Sequence, residues 1–158
     1  MNSMIERLLT LRVADVMSKE VVQVASHDTM DHAARTFMEH SISGAPVVDE
    51  HLRCAGVLSA MDFVKKHNCN CAQNRTGHLL VQERSQPLRI DDCGEPLVCH
   101  YMTPSVQTIA AEQSLLAAAR IMCAEHIHRL PVLDDCSRPV GMITALDVVA
   151  ALVNAVEE

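Results

Sequence analysis

The order of apolar and polar positions in the first half of the chain predicts a strand followed by a helix. The β-branched run at residues 21–24 predicts a short strand. Residues 26–29 then offer side chains that cap helices, and Met30, Ala33, Ala34 and Phe37 are apolar at helical spacing. A helix that faces a core along one side is therefore predicted up to about residue 40.

Two further strands and a second helix complete the predicted unit. Residues 46–48 predict a strand whose first residue, Pro46, needs no ladder donor. A polar turn at residues 49–53 precedes a third strand at residues 55–58. Ser59 is placed to cap a second helix. The unit thus has the order β-α-β-β-α.

The second half of the chain repeats the first at an offset of 85 residues. Residues 13–66 lie over residues 98–151 without a gap, and about 16 of the 54 pairs are identical, with Gly and Pro in phase. Neither half can bury a core alone, so we expect a mixed α/β (α+β) fold with two repeats about a pseudo-two-fold axis and a cleft between them. The predicted boundaries are residues 1–67 for the first repeat with an N-terminal helix, 68–97 for a linker, and 98–158 for the second repeat with a C-terminal helix.

Composition narrows the possible partners. Apolar residues make up 49% of the chain, aromatic residues only 2%, and the formal net charge is −7. Few aromatic rings and a negative charge argue against nucleic acid and against an anionic membrane surface. No apolar run approaches the length of a membrane span and no secretory signal begins the sequence, so a cytoplasmic protein is expected.

Each repeat contains the same spaced glycine, hydroxyl and acid. Residues 56–62 read Gly-Val-Leu-Ser-Ala-Met-Asp, and residues 141–147 read Gly-Met-Ile-Thr-Ala-Leu-Asp. The pattern is typical of a capping box, in which hydroxyl and acid satisfy free N–H groups of the first helical turn. The alternative is a ligand site, where the hydroxyl contacts phosphate or sugar and the carboxylate accepts from ribose hydroxyls at a helix N-terminus.

These segments, with residues 42–49 (Ile-Ser-Gly-Ala-Pro-Val-Val-Asp) and 127–134 (Ile-His-Arg-Leu-Pro-Val-Leu-Asp), resemble the CBS (cystathionine-β-synthase) domain family. The resemblance covers nearly the whole chain outside the linker and is that of a stand-alone tandem pair. Members of the family pair their domains, often form dimers, and bind AMP, ADP, ATP or S-adenosylmethionine between the repeats. The resemblance therefore implies a regulatory, energy-sensing module that binds an adenine nucleotide and requires no cofactor.

The resemblance also implies two ligand clefts, with the acid on the ribose and apolar residues beside adenine. One cleft would join Val57, Leu58, Ser59 and Asp62 to Thr103, Gln107, Thr108, His128 and Arg129. The other would join Met142, Ile143, Thr144 and Asp147 to Ser18, Gln23, Ser43 and Gly44.

The two clefts are expected to differ in charge. His128 and Arg129 resemble the phosphate-contacting pair of the γ subunit of AMP-activated protein kinase, whereas the first repeat has Ser43 and Gly44 there. An arginine fork matches phosphate oxygens. The alternative is a solvated basic pair at the start of a strand. We expect phosphate beside Arg129 and a weaker, empty or neutral site beside Gly44. S-adenosylmethionine is less favoured, because a sulfonium cation is not drawn to Arg129.

The seven cysteines suggest free thiols in a reducing compartment. Cys54, Cys99 and Cys123 lie in apolar stretches and are expected in the core. Cys69 and Cys71, with His67 and His78 nearby, are either exposed thiols, zinc ligands or a redox-sensitive pair. The spacing of these four residues is unlike that of known zinc sites, so no metal is predicted.

Catalysis has no support in the sequence, because no nucleophile stands beside a base and the two equivalent acids do not form an acid/base couple. Three functions remain: a nucleotide sensor that acts on an unknown protein in trans, a dimerisation domain with empty clefts, and a metal or redox switch in the linker. On the last helix, Leu146, Val149, Val153 and Val156 form an apolar stripe that serves either a homodimer or the contact between repeats.

Overall fold

The computed structural model describes residue 6 and residues 9–65 and 95–157. The predicted linker falls mostly outside these ranges, as do His67, Cys69, Cys71 and His78. The first half contains α1 (Val13–Val16), β1 (Val24–Ala25), α2 (Met30–Glu39), β2 (Gly44–Val48) and β3 (Cys54–Ser59), and residues 60–65 are helical. The second half contains a 3₁₀ turn (Val98–His100), β4 (Thr103–Pro104), β5 (Ile109–Ala110), α3 (Leu115–Glu125), β6 (Arg129–Leu133), β7 (Pro139–Thr144) and α4 (Ala145–Glu157).

The strands form two small sheets, one centred on each repeat. The first has the order β1-β2-β3-β4, and the second has the order β5-β6-β7. The outer strand β4 belongs to the second half of the chain, and Thr103 is the register partner of Val57 in β3. Ser18 makes the equivalent bridge to Met142 in β7. Each sheet is thus extended by a segment of the other repeat, which confirms the predicted pseudo-two-fold arrangement.

Each hydrophobic core also contains a residue from the other half of the chain. Val13, from the start of the first repeat, is fully buried with Ile109, Leu130 and other residues of the second repeat. Val98 is fully buried in the cluster of the first repeat, with Val24 and its neighbours. The first residues of each repeat therefore complete the apolar core of the other repeat.

Two glycines permit this close contact. A Cβ atom on Gly56 would lie 2.4 Å from the carbonyl oxygen of Thr103, and one on Gly141 would lie 2.4 Å from the sulfur of Met17. Both distances are shorter than real contacts, so the glycine that begins the motif in each repeat is explained by the approach of the other repeat.

The local predictions hold for the helices better than for the first strand. Thr29 and Ser114 cap α2 and α3, each accepting a hydrogen bond from the backbone N–H three residues later. The strand predicted at residues 21–24 is wrong in extent, because the strand is Val24–Ala25. The preceding Val21 and Val22 line a cavity instead of pairing in the sheet.

The predictions on the cysteines and on membrane spans can also be compared with the structure. Cys99 and Cys123 are exposed, so their predicted core positions are wrong, while Cys54 is half-buried. Burial raises the pKa of the Cys54 thiol, and a backbone hydrogen bond with Gly56 partly opposes the shift. Among residues 9–65 and 95–157, no helix is long and apolar enough to cross a membrane, and the cytoplasmic location stays a prediction.

Candidate functional site

A cavity of about 290 Å³ opens between the two repeats. This volume is near the lower end of the roughly 300–1,000 Å³ of small-molecule sites. The first repeat contributes two segments around Ser18 and Ser43, and the second repeat contributes residues of β6 and β7. The lining residues are Ser18, Glu20, Val21, Val22, Ser41, Ile42, Ser43, Gly44, Pro46, Arg129, Met142 and Thr144.

Arg129 enters this cavity because of the register of the β6–β7 hairpin. Arg129 is the register partner of Thr144, and its Nη2 donates a hydrogen bond of 3.2 Å to the Ser43 hydroxyl. Its guanidinium lies over Gly44, since a Cβ atom there would lie 1.6 Å from Nη1. The guanidinium thus lies in the cavity lined by Gly44. Because Gly44 is itself the register partner of Ser59, the assignment of Arg129 to the cleft of Ser59 and Asp62 stays a prediction.

The structure brings together five of the residues predicted for the second cleft, namely Ser18, Ser43, Gly44, Met142 and Thr144. The other three residues predicted for this cleft, Gln23, Ile143 and Asp147, lie outside the cavity lining, as does His128, which was predicted for the first cleft. The Gln23 amide donates to the carbonyl oxygen of Pro139 over 3.2 Å. The exposed His128 is outside the lining, and its carbonyl oxygen accepts from the N–H of Ala145.

Leu58 and Ile143 correct a further prediction. Both side chains are fully buried, Leu58 in the core of the first repeat and Ile143 in the core of the second. Successive side chains of a strand point to opposite faces, so Leu58 and Ile143 face away from Ser59 and Thr144. The prediction that these two side chains flank adenine is therefore wrong.

The acids of the repeated motif reach back to the residue that precedes their helix. Oδ2 of Asp62 accepts from the backbone N–H and the hydroxyl of Ser59 over 2.8 and 2.7 Å. Oδ2 of Asp147 accepts the same two bonds from Thr144, at the same distances. In the second repeat the N–H of Asp147 also donates to the Thr144 hydroxyl over 3.3 Å. The reciprocal bonds of a capping box are thus present in the second repeat, and the first repeat shows the half made by the acid. A role in ribose binding stays a prediction.

The two acids differ in their remaining carboxylate oxygen. Oδ1 of Asp62 accepts a hydrogen bond of 2.8 Å from the Lys65 ammonium, whereas Ala150 stands at the equivalent position after Asp147. Burial alone would raise the pKa of Asp62, but the bonds from Lys65 and Ser59 outweigh burial and lower that pKa below its ordinary value of 3.8. Within the described residues, Oδ1 of Asp147 has no comparable cation.

Of the residues predicted for the cleft of the first repeat, the structure pairs two directly, and the cleft itself stays a prediction. Val57 and Thr103 are register partners across β3 and β4, and Ser59 faces Gly44 across the β2–β3 hairpin. Gln107 is exposed and Thr108 is half-buried beside β5. The acid of this cleft is paired with Lys65, while the guanidinium of Arg129 donates to Ser43.

The sequence predictions missed several residues that line the cavity. Ser41 and Ile42 directly precede the predicted Ser43, and Glu20, Val21 and Val22 follow the predicted Ser18. The β-branched pattern of the two valines predicts a strand, so the pattern does not indicate that they line a cavity. Proximity to predicted site residues was the available signal for all five.

A family model for the CBS domain matches residues 13–67 and again residues 98–154. The chain belongs to the CBS-domain family. The two matches correspond to the two repeats, so the protein is a tandem CBS pair. This is the family that the repeated motifs resemble.

Relatives of this CBS pair include proteins of similar length. The uncharacterised protein MJ1426 of Methanocaldococcus jannaschii is 30% identical over 153 residues, which cover 89% of this chain and 90% of that protein. Enzymes also match, but the CBS pair spans only 25% of the homoserine O-acetyltransferase of Methanococcoides burtonii, at 26% identity over 93% of this chain. The similarity to such enzymes concerns a part of them that corresponds to a CBS pair.

Solved CBS pairs share the fold over almost their full length. The CBS domain pair of MJ0100, in complex with 5′-methylthioadenosine and S-adenosylmethionine, has a TM-score of 0.70 and 25% identity, covering 92% of this chain and 98% of that one. CBSX2 in complex with AMP has a TM-score of 0.71 and 24% identity, covering 94% of this chain and 99% of that one. The latter similarity shows the fold alone.

Proposed function

We propose that this CBS pair binds an adenine nucleotide in the cavity between Ser18, Ser43 and Thr144, and that binding regulates a partner protein in trans. The observation that carries the proposal is the position of Arg129. Its guanidinium lines the cavity with a neutral serine as its bonded neighbour, so it has donors left for a phosphate. Hydrogen bonds from an arginine fork to phosphate are among the stronger polar contacts in proteins.

The other parts of the nucleoside have chemically suitable neighbours. Val21, Val22 and Met142 offer apolar surface for the adenine ring. Thr144, also in the lining, is bonded to Asp147. Among the described residues no lysine or arginine pairs with Oδ1 of Asp147, so this oxygen is available to accept from ribose hydroxyls. The family and the MJ0100 pair, solved with two adenosyl compounds, support the adenosyl part, and Arg129 supports the phosphate.

Regulation would follow from the position of the cavity between the repeats. A ligand there touches the first repeat through Ser18 and Ser43 and the second repeat through Arg129 and Thr144. It would therefore bind some relative arrangements of the repeats better than others, and this difference shifts their populations. The shifted arrangement is what a partner protein would recognise.

We expect one occupied cleft in each chain. In the first cleft the carboxylate of Asp62 is engaged by Lys65 and Ser59, and a ribose would have to displace the ammonium. In the second cleft Thr144 lines the cavity with Arg129 and is bonded to Asp147, which has no lysine or arginine partner among the described residues. Phosphate and ribose contacts therefore coincide only in the second cleft.

Thermal unfolding with a ligand panel tests the proposal. Ligand-free protein would be melted with AMP, ADP, ATP, S-adenosylmethionine and GTP. A ligand at 100 times its dissociation constant stabilises the folded state by about 2.7 kcal/mol, which is several degrees for a domain near this size. A shift with adenine nucleotides is expected. No shift with any of them would contradict the proposal and favour a dimerisation domain with empty clefts.

We also propose that the protein forms a homodimer through the helical residues 60–65 and α4. Leu146 and Val149 of α4 are 76% and 52% exposed, and the equivalent Met61 and Val64 are 63% and 52% exposed. Val153 is also exposed, whereas Ala151 and Val148 face the core. The alternative that Leu146, Val149 and Val153 contact the other repeat is therefore wrong. A second copy fits this surface best, because in a two-fold homodimer both chains contribute the same apolar face to the interface.

The oligomeric state of two variants tests the dimer. Leu146→Glu should give a monomer, because a buried unpaired charge is costly at an interface. Met38→Glu is the matched control, since Met38 is 80% exposed on α2, away from these helices, and should remain dimeric. Sedimentation measures both. A monomeric wild-type protein at all concentrations would contradict this proposal.

A further inference from the structure

The cavity contains one cation and one acid. Of the residues that line it, only Arg129 and Glu20 carry charges at neutral pH, and the remainder are apolar or neutral polar. The lining residues are thus neutral overall, and the carboxylate of Asp147 lies behind the lining residue Thr144. Glu20 is specific to this cleft, because the equivalent residue of the second repeat is Ser105.

The two charged residues come from opposite sides of β7. Arg129 lies on β6 and pairs with Thr144. On the other side of β7, Ser18 and Met142 exchange two backbone hydrogen bonds of 3.0 Å, and Glu20 follows Ser18 by two residues. Neighbouring strands are about 4.8 Å apart, so the backbone segments that carry Arg129 and Glu20 are separated by roughly 10 Å across β7.

This arrangement of charges affects a ligand with one phosphate differently from a ligand with a chain of phosphates. A single phosphate beside Arg129 gains the attraction of the guanidinium, whereas a phosphate chain that extends across β7 approaches the exposed carboxylate of Glu20. Each further phosphate adds negative charge to the same small space and extends the charged group, while the number of cations stays the same. The repulsion between like charges in a partly desolvated cavity is several times that in bulk water.

We propose that Glu20 makes the cavity select an adenine nucleotide with one phosphate over those with two or three. The inference rests on the proposed nucleotide site and identifies its ligand class more narrowly. Glu20 acts here as a specificity-determining residue, with Arg129 as the phosphate-binding residue that it opposes.

The test compares adenosine, AMP and ATP on wild-type protein and on Glu20→Gln, by calorimetric titration without Mg²⁺ at one ionic strength. Wild-type protein should bind AMP more tightly than adenosine and more tightly than ATP. Glu20→Gln should reduce the AMP-to-ATP preference by about tenfold, mainly through tighter ATP binding, and should leave adenosine affinity unchanged. Glu39→Gln, at an exposed glutamate on α2, should keep the wild-type preference.

The outcomes separate this inference from the proposed function. If wild-type protein binds AMP but Glu20→Gln leaves the AMP-to-ATP ratio unchanged, the role of Glu20 is overturned and the nucleotide site stands. Tighter binding of ATP than AMP to wild-type protein would also overturn it. If none of the three ligands binds wild-type protein, the proposed site fails and the selectivity fails with it.

Discussion

Arg129 and Gly44 occupy equivalent positions in the two repeats, and the side chain of Arg129 fills the space that a side chain at position 44 would need. A Cβ atom on Gly44 would lie 1.6 Å from Nη1 of Arg129. The pseudo-two-fold axis brings the two strand starts together, so a bulky residue at one of them requires a small residue at the other. The difference in charge between positions 44 and 129 is therefore coupled to the packing of the two strand starts against each other.

We expect Gly44→Ala to weaken nucleotide binding with little loss of stability. The atoms that the new methyl group would meet belong to the flexible end of Arg129, which can move away and leave its place beside Ser43. AMP affinity and the melting temperature of ligand-free protein measure the two effects. An unchanged AMP affinity would show that the position of Arg129 over Gly44 is unimportant.

Gly56→Ala is the matched substitution with the opposite expectation. Its methyl group would meet the backbone carbonyl of Thr103 at 2.4 Å, and a backbone atom in a paired strand cannot move cheaply. Overpacking of this kind costs about 1–3 kcal/mol. Chemical denaturation should show this loss, and a melting temperature equal to that of Gly44→Ala would contradict the packing argument.

Arg129→Gln should weaken AMP binding without changing the fold. Loss of charge-assisted hydrogen bonds worth about 1.5–3 kcal/mol corresponds to roughly 10- to 150-fold in affinity. Adenosine affinity should change much less, because adenosine has no phosphate. Arg120→Gln is the control, since Arg120 is exposed on α3 and should bind AMP as wild-type protein does. Equal losses for adenosine and AMP would argue against a phosphate contact.

Asp62→Asn should destabilise the protein near neutral pH and much less in acid. The pKa of Asp62 is lowered in the folded state, so the unfolded chain binds the proton more readily as the pH falls. The stabilisation by its carboxylate is therefore present above the ordinary value of 3.8 and is lost as the pH falls through the lower folded-state pKa.

The expected difference between wild-type protein and Asp62→Asn at pH 7 is about 1–3 kcal/mol. Urea unfolding at several pH values measures it, with Asp135→Asn, at an exposed acid, as the control. A difference that stays constant down to the acid transition would show that the Lys65 and Ser59 bonds do not depend on the ionised form.

Val98→Ala should lower the stability of both repeats together. Val98 is fully buried in the core of the first repeat although it begins the second. Removing its two methyl groups costs roughly 2 kcal/mol in lost transfer energy and cavity formation. Because Val13 makes the reciprocal contact, calorimetry should show one unfolding transition that moves to lower temperature. Two separated transitions would mean that the repeats unfold independently.

Much of the fold could be predicted from the repeat and from local patterns. The glycine, proline and acid positions recur in phase, and Thr29 and Ser114 are ordinary caps, so the β-α-β-β-α order followed from residue types alone. The exchange of Val13 and Val98 between the cores could not be predicted in this way, because apolar periodicity identifies a buried residue but not the core that receives it.

The set of predicted site residues was partly wrong for a geometric reason. The hairpin register places Arg129 opposite Thr144, which follows from pairing Pro131 with Met142, so hairpin geometry was the signal that could have placed both residues in one cavity. Alternation along β3 and β7 would likewise have separated Leu58 and Ile143 from their hydroxyl neighbours. The bond between Lys65 and Asp62 has no such signal, because this i, i+3 pair is also common on helix surfaces.

The crystal structure of the protein grown with AMP tests the central claim most directly. We expect AMP in the cavity between the repeats, with a phosphate oxygen within hydrogen-bond distance of Arg129 and the ribose beside Asp147. AMP bound against Asp62 in the first cleft would contradict the proposed site. Crystals grown at a high AMP concentration that contain no bound AMP would also contradict it.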